Sequence, residues 1–258
     1  MGSATLAFAA GISLGCILGG LAGFWYSQRQ YRKLGHYLSF AAHELNTPLT
    51  AVNMAVLNWL GGVFGPVDEA VKPWIEMMRE QLARLAVLVG ELRDFTHLEL
   101  RRDFSPDMAR VPLREALASA LSATHYGFEN SKIPLETRIP GDLPSVRADP
   151  DRLSRMISSL LFHARKFRLS GPVELIVRPA GHRVELDFRY TAEPSTQQEL
   201  ERALDLYYPA ERVGERMAAT GLGLGLIRAV AEHQGCFLTV RAGADGASSL
   251  LLSLPTAL

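Results

Sequence analysis

The sequence predicts three parts in order: one membrane-spanning helix, an all-α hairpin that pairs with a second chain into a dimeric four-helix bundle, and a C-terminal α/β sandwich. Three observations predict them. The 27 basic and 27 acidic side chains all fall at or after Arg29. Apolar residues between Leu34 and Leu92 follow three-four spacing, broken once by a Gly/Pro turn. From about residue 106 onward, helical and strand patterns alternate. A chain of 258 residues with zero formal net charge lacks the basic excess of a nucleic-acid binder. Two cysteines, Cys16 and Cys236, exclude a disulfide scaffold.

Residues 1–28 form the predicted anchor. Ala4 to Tyr26 contains no charge, and its only polar members are Thr5 and Ser13. A helix of that length reaches roughly 34 Å, enough to cross a bilayer. Trp25 and Tyr26 close the run like an interfacial belt, and Arg29, Arg32 and Lys33 follow at once, so residues 27–258 are expected in the cytoplasm of a single-pass inner (plasma) membrane protein. A cleaved signal peptide fits less well, because it wants a basic start and a shorter apolar stretch. Gly11, Gly15, Gly19 and Gly23 share one helical face, where two backbones approach closely. Only three residues precede the run, so no extracellular sensory domain is expected.

Residues 29–105 form the predicted hairpin. Leu34, Leu38, Ala41, Leu45, Val52, Ala55 and Trp59 make the apolar seam of the first helix. Gly61-Gly62-Val63-Phe64-Gly65-Pro66 breaks it. Ile75, Met78, Leu82, Leu85, Val89 and Leu92 then form a coiled-coil seam on the second helix. One hairpin cannot cover two apolar faces, which points to a homodimer. His43 lies off the seam, toward solvent, in the string His43-Glu44-Leu45-Asn46-Thr47-Pro48-Leu49. Proline inside a helix removes one backbone hydrogen bond and loosens the turn that holds the histidine. A neighbouring carboxylate orients an exposed imidazole and raises its basicity, which favours phosphoryl acceptance.

That string resembles the phospho-acceptor box of sensor histidine kinases, His-Glu-x-x-Thr-Pro-Leu. The resemblance implies that His43 is phosphorylated, that Glu44 is its acid/base partner, and that Thr47 positions water in the reverse, phosphatase reaction. It extends over roughly residues 27–258 and implies a response-regulator receiver domain as partner.

Residues 106–258 make up the predicted sandwich. The polar stretch Arg101 to Ala109 ends the hairpin. Leu113–Glu129 reads as an amphipathic helix, and Ile133–Ile139 as a strand. Asp149–Phe167 reads as a helix opening on Asp-Pro. Val173–Arg178 and Arg183–Tyr190 form a hairpin around Pro179-Ala180-Gly181. Gly221–Gln234 is a helix closed by Gly235, and Phe237–Arg241 and Ser249–Leu254 finish as strands. Helices segregated against one mixed sheet give an α/β sandwich. The order resembles the ATP-binding domain that histidine kinases share with DNA gyrase and the mismatch-repair ATPases, which implies ATP and Mg²⁺ as cofactors.

Thr220-Gly221-Leu222-Gly223-Leu224-Gly225-Leu226 carries the strongest chemistry here, since glycines at a helix entrance let backbone N–H groups approach phosphate. The run resembles the family's second glycine box, with Thr220, Gly221 and Gly223 as nucleotide contacts. Two other boxes depart from the family pattern. Asn-Leu-Leu-x-Asn-Ala-x-Lys aligns with Ser159-Leu160-Leu161-Phe162-His163-Ala164-Arg165-Lys166, which keeps only Lys166, a candidate phosphate contact. His163 stands where the Mg²⁺ ligand belongs, and imidazole suits softer metals; no metal ligand is assigned. Asp-x-Gly-x-Gly aligns with Tyr190-Thr191-Ala192-Glu193-Pro194, which replaces the adenine acceptor and both glycines.

The expected function is a membrane-anchored two-component signalling protein. His43 exchanges phosphate with a response regulator or supports its dephosphorylation, with ATP-driven autophosphorylation weak or lost. The alternatives are an active kinase with a divergent nucleotide site and a scaffold that binds a regulator without chemistry.

Overall fold

The computed structural model describes residue 23 and residues 33–205, 223–243 and 245–257. The predicted membrane run, apart from Gly23, therefore lies outside the described residues, as do Thr220, Gly221 and Leu222. Among the described residues no helix is long and apolar enough to cross a membrane.

The hairpin forms as the spacing predicts. Helix α1 is continuous over residues 33–60, through Pro48. Gly62 and Gly65 reverse the chain with φ of +76° and +101°, backbone that a side-chain-bearing residue rarely adopts. Helix α2 spans Lys72–Phe95 and opens with Pro73 in its first turn. It does not end at Phe95. A six-residue π-helical turn, Thr96–Arg101, extends it, and Arg102 stops the turn in the left-handed region with φ of 56°. This turn lies within the predicted hairpin, just before the polar stretch that begins at Arg101. Gly35 of α1 is buried and faces Leu100 so closely that a β-carbon would lie 2.9 Å from the Leu100 Cβ. His97 Nδ1 lies 2.7 Å from Asp103 Oδ1, and its Nε2 lies 3.4 Å from Ser39 Oγ. Arg101 pairs with the same Asp103 at 2.6 Å, so the base of the hairpin is tied shut.

The face of α1 that packs within the chain differs from the expected seam. Gly35, Ala42, Leu49 and Val56, seven apart, are buried, whereas Leu34, Leu45, Val52 and Trp59 remain exposed. A heptad repeat has two apolar positions per turn pair, and here one set is buried within the chain while the other points outward.

The sandwich is built on a five-stranded sheet ordered β2-β4-β5-β7-β6. Its strands are β2 (Leu135–Arg138), β4 (Ser170–Ala180), β5 (Arg183–Thr191), β6 (Phe237–Ala242) and β7 (Ala247–Pro255). Only the β2–β4 pair is parallel. A separate two-stranded sheet, β1 (Ala109–Val111) with β3 (Val146–Ala148), escaped the sequence reading because three-residue strands carry too little periodicity. Helices α3 (Leu113–Asn130), α4 (Pro150–Phe167) and α6 (Gly223–Glu232) pack against the large sheet, and the short α5 (Gln197–Arg202) borders β6. Alternation places Val173, Leu175 and Val177 of β4, Leu186 and Phe188 of β5, and Leu250 and Leu252 of β7 in one core with Leu153, Ile157 and Leu160 of α4. Glu174, Glu185, Asp187 and Arg189 stand on the opposite face of the sheet, so the layer count is two.

Asp149 anchors the start of α4. Its carboxylate accepts the Arg152 and Asp107 backbone N–H groups, each at 3.0 Å, and pairs with the Arg152 guanidinium. Its own N–H donates to Gln234 Oε1 at 2.8 Å. Burial pushes the carboxyl upward, but these hydrogen bonds and the arginine charge outweigh it and hold it below its ordinary value. Asp149→Ala is expected to cost about 3 kcal/mol in urea unfolding, through loss of the cap and an unpaired buried arginine. For a depressed carboxyl, the stabilisation is complete above the ordinary carboxylate value and is lost as pH falls through the lowered one. The difference between Asp149→Asn and the parent protein should therefore shrink on acidification.

Candidate phosphotransfer and nucleotide-like sites

His43, Glu44 and Thr47 are all exposed on α1. His43 and Thr47 are four residues apart and so share one helical face. Pro48 supplies no N–H to the Glu44 carbonyl, which leaves that carbonyl outside the helix ladder beside the histidine. The site is thus an accessible imidazole with a carboxylate next to it and a hydroxyl one turn away.

The second site lies in the sandwich, around a cavity of about 430 Å³ lined by His163 and Lys166 of α4, Tyr190 of β5, and Glu193, Ser195 and Ser248. The structure thereby brings together three positions the sequence singled out. Gly223 opens α6 with φ of +77° but does not line this cavity. Tyr190 faces the helices because alternation on β5 turns Phe188 and Tyr190 inward. Asp187, two residues away from Phe188's neighbour Arg189 on the outer face, pairs with Arg189 at 2.8 Å and accepts from Ser249, so it is not an adenine acceptor in this pocket.

The described residues around this cavity do not fit a magnesium–nucleotide complex. Magnesium takes oxygen ligands, yet the ligand position holds the His163 imidazole, which is buried against Phe167 at 4.3 Å between ring centroids and lies edge-on to Tyr190 at 6.2 Å. Burial, with the Lys166 charge in support, lowers its pKa to about 3. Ser159, at the other asparagine position, donates to Glu91 Oε1 of α2 at 2.8 Å instead of facing the pocket. Where an ionised aspartate would accept from adenine, Tyr190 presents a phenol that burial keeps protonated. Lys166 and Arg168, which also lines the cavity, are the described residues there that suit an anionic ligand.

The sequence reading missed the partners of α4. Glu80, Glu91 and Asp94 of α2 are buried. Asp94 receives Arg152 and Arg155, each at 3.0 Å, and Glu80 receives Arg165 at 2.5 Å. Two glycines make room. The Arg155 side chain crosses Gly90 so closely that a β-carbon would sit 2.5 Å from Arg155 Cδ, and Arg165 crosses Gly127 more closely still. The signal was present as a second stripe on α2, residues 80, 87, 91 and 94, which mixes acids with valine and escapes an apolar-only search.

Comparison with known proteins agrees with this arrangement of a phospho-acceptor hairpin and an ATPase-type sandwich. Residues 33–101 match the His Kinase A (phospho-acceptor) domain. The histidine protein kinase DivJ of Caulobacter vibrioides is 25% identical over 223 residues, covering 86% of this chain and 37% of that protein. The alginate biosynthesis sensor protein KinB of Pseudomonas aeruginosa is 25% identical over 232 residues, covering 88% of this chain and 38% of that protein. Among solved structures, full-length ShkA in complex with AMPPNP aligns with a TM-score of 0.58 at 20% identity, over 86% of this chain and 46% of that one. The histidine kinase AdeS of Acinetobacter baumannii aligns with a TM-score of 0.53 at 19% identity, over 84% of this chain and 98% of that one. The chain is similar to sensor histidine kinases over both the hairpin and the sandwich, and it spans well under half the length of DivJ and KinB.

The neutral, buried His163 has a consequence in solution. An unfolded imidazole takes a proton near 6.5, whereas the folded one resists until about 3. The unfolded chain therefore binds the extra proton between those values, and stability falls as pH drops through 6.5. His163→Phe is expected to remove about 2 kcal/mol of the stability change between pH 7 and pH 5, read from urea midpoints, since the slope reaches its full ~1.4 kcal/mol per pH unit only below 6.5.

Proposed function

We propose that this chain exchanges phosphate between His43 and a receiver-domain aspartate, or hydrolyses that aspartyl phosphate, with ATP-driven autophosphorylation weak or lost. The observation that supports the loss most directly is the replacement of the magnesium ligand by a buried, neutral, ring-packed His163. In the transfer step an unprotonated ring nitrogen of His43 attacks phosphorus. The N–P bond forms, the P–O bond to the receiver carboxyl breaks, and its electron pair stays on the carboxylate. Glu44 takes the proton that the phosphorylated ring releases. In hydrolysis Thr47 holds the attacking water, and phosphate leaves with the receiver carboxylate regenerated. Neither direction requires a bound nucleotide.

The exposed Leu34, Leu45, Val52 and Trp59 supply a face for a second copy in a homodimer. On this reading residues 1–28 anchor the chain in the plasma membrane with its remaining parts cytoplasmic, 29–105 dimerise and carry the phosphate, and 106–258 dock or regulate rather than bind ATP as a kinase does.

A receiver domain carrying labelled phosphate tests this. Label is expected to pass to the chain or to appear as free phosphate, with the rate falling at least a hundredfold in His43→Ala for transfer and in Thr47→Ala for hydrolysis. Identical rates in parent and variants would overturn the proposal. Efficient acid-labile labelling of His43 by ATP and Mg²⁺ would restore the active-kinase reading instead.

A further inference from the structure

At the base of the hairpin a second histidine holds a carboxylate on one ring nitrogen and a hydroxyl on the other. Asp103 Oδ1 lies 2.7 Å from His97 Nδ1, and Ser39 Oγ lies 3.4 Å from His97 Nε2. The three side chains come from separate places. Ser39 is on α1, one turn before His43, while His97 is in the π-helical turn and Asp103 follows that turn. Two local features bring them together. Gly35, one turn before Ser39, lets α1 approach Leu100 of the turn. Arg102, with its left-handed backbone, folds the chain back so that the Asp103 N–H donates to the His97 carbonyl at 3.0 Å.

These contacts set a direction for one proton. The Asp103 carboxylate accepts the Nδ1 hydrogen and so favours the neutral tautomer whose Nε2 lone pair faces Ser39. Ser39 donates to that lone pair, and the imidazole is placed to take the hydroxyl proton when the oxygen attacks an electrophile. A serine hydroxyl without such a base is a weak nucleophile. Arg101 adds a charge. One of its terminal nitrogens pairs with Asp103 at 2.6 Å, and the other lies 3.5 Å from Ser39 Oγ. A guanidinium beside the attacking hydroxyl suits an electrophile with negative oxygens, as a phosphoryl group has, better than a neutral ester. The cluster is open to solvent, with Ser39 half-buried, Asp103 exposed and 24% of the His97 side chain accessible.

We propose that Ser39 is a second phosphoryl acceptor, activated by His97 with Asp103 as the positioning residue, that takes phosphate from an acyl phosphate or from phosphorylated His43. The second source rests on the function proposed above, and the first does not. In either case the Ser39 Oγ–P bond forms and the hydroxyl proton passes to His97 Nε2. With an acyl phosphate, the P–O bond to the acyl group breaks and its electron pair leaves on the carboxylate. With phosphorylated His43, the P–N bond breaks and the pair stays on the ring nitrogen. Ser39 and His43 share a helical face, and helical side chains lean toward the turn N-terminal to them, the direction from His43 to Ser39. A phosphate ester is the more stable product in both cases. Transfer to Ser39 therefore withdraws phosphate from exchange between His43 and a receiver.

Labelled acetyl phosphate tests the proposal on the full chain carrying His43→Ala. The expected result is acid-stable label on Ser39, located by peptide mass and absent in Ser39→Ala. Adding His97→Gln or Asp103→Asn should lower the maximal labelling rate at least tenfold while the half-saturating acetyl phosphate concentration stays the same. A merely structural role for either residue would not produce that split. Arg101→Met should instead raise the half-saturating concentration. No acid-stable label on Ser39, or label undiminished in His97→Gln, would overturn the proposal. A second arm separates the sources. The parent chain is labelled on His43 by a phosphorylated receiver domain and then chased without it. Conversion to acid-stable label on Ser39 assigns transfer from His43, and label that stays acid-labile assigns acyl phosphates as the donors. Failure of the receiver to label the chain at all overturns the function proposed above and not this one, which acetyl phosphate tests alone.

Discussion

The pairing of buried carboxylates on α2 with arginines on α4 is the contact on which the arrangement of the whole structure depends. Asp94 holds two guanidinium groups, from Arg152 and Arg155, and Arg152 is at the same time fixed by Asp149 and stacked 4.4 Å from the centroid of the Phe104 ring. Phe104 in turn meets His233 edge-on at 5.1 Å. One aspartate thereby ties the second hairpin helix, the connecting segment, the first turn of α4 and the end of α6 to one another. Buried ion pairs gain little over apolar packing, but breaking one by removing a single partner is costly, because a desolvated charge is left behind. Such a contact therefore discriminates strongly between one docked geometry and others, even where its net contribution to stability is small. Gly90 and Gly127 belong to the same device, since a larger residue at either place collides with the arginine that crosses it.

The large elements were legible from the sequence because their periodicity is long and clean. Helix α4 begins one residue after the Asp149 cap that Asp-Pro marks, and α3 starts at Leu113 as its amphipathic pattern requires. The hairpin strands β4 and β5 fell where the Pro-Ala-Gly turn placed them, with β4 longer at both ends. The π-helical turn was not legible. Its residues, Thr96 to Arg101, carry no local signal for a wider hydrogen-bond ring, and the Gly35 approach to Leu100 that accompanies it is a tertiary contact. The residues of α1 that pack within the chain were not picked out for a related reason. Gly35 and Ala42 count as weak apolar residues, yet small side chains are what a close helix approach selects.

The candidate sites divide the same way. His43, Glu44 and Thr47 could be read directly, because their relation to one another is set by helical spacing alone. Lys166, His163 and Tyr190 were singled out one at a time, and their convergence on one cavity needed the inward alternation of β5 against α4. The acids of α2 were missed because nothing in a linear string says that a charged stripe on one helix will be buried by another 58 or more residues away.

A physical conflict within α4 links these observations. The helix has two functional faces, one toward the larger cavity and one toward α2, and residues near their border cannot serve both. Ser159 donates its hydroxyl hydrogen to Glu91, so that proton is committed to docking. His163 spends its imidazole on ring contacts with Phe167 and Tyr190, and burial removes the charge and water access that a ligand site for a hard cation needs. Lys166 lines both that cavity and a second, of about 360 Å³, against α2, and its Nζ makes no hydrogen bond. A helix that has exchanged oxygen donors for docking contacts and packed rings is suited to holding the sandwich in place against the hairpin.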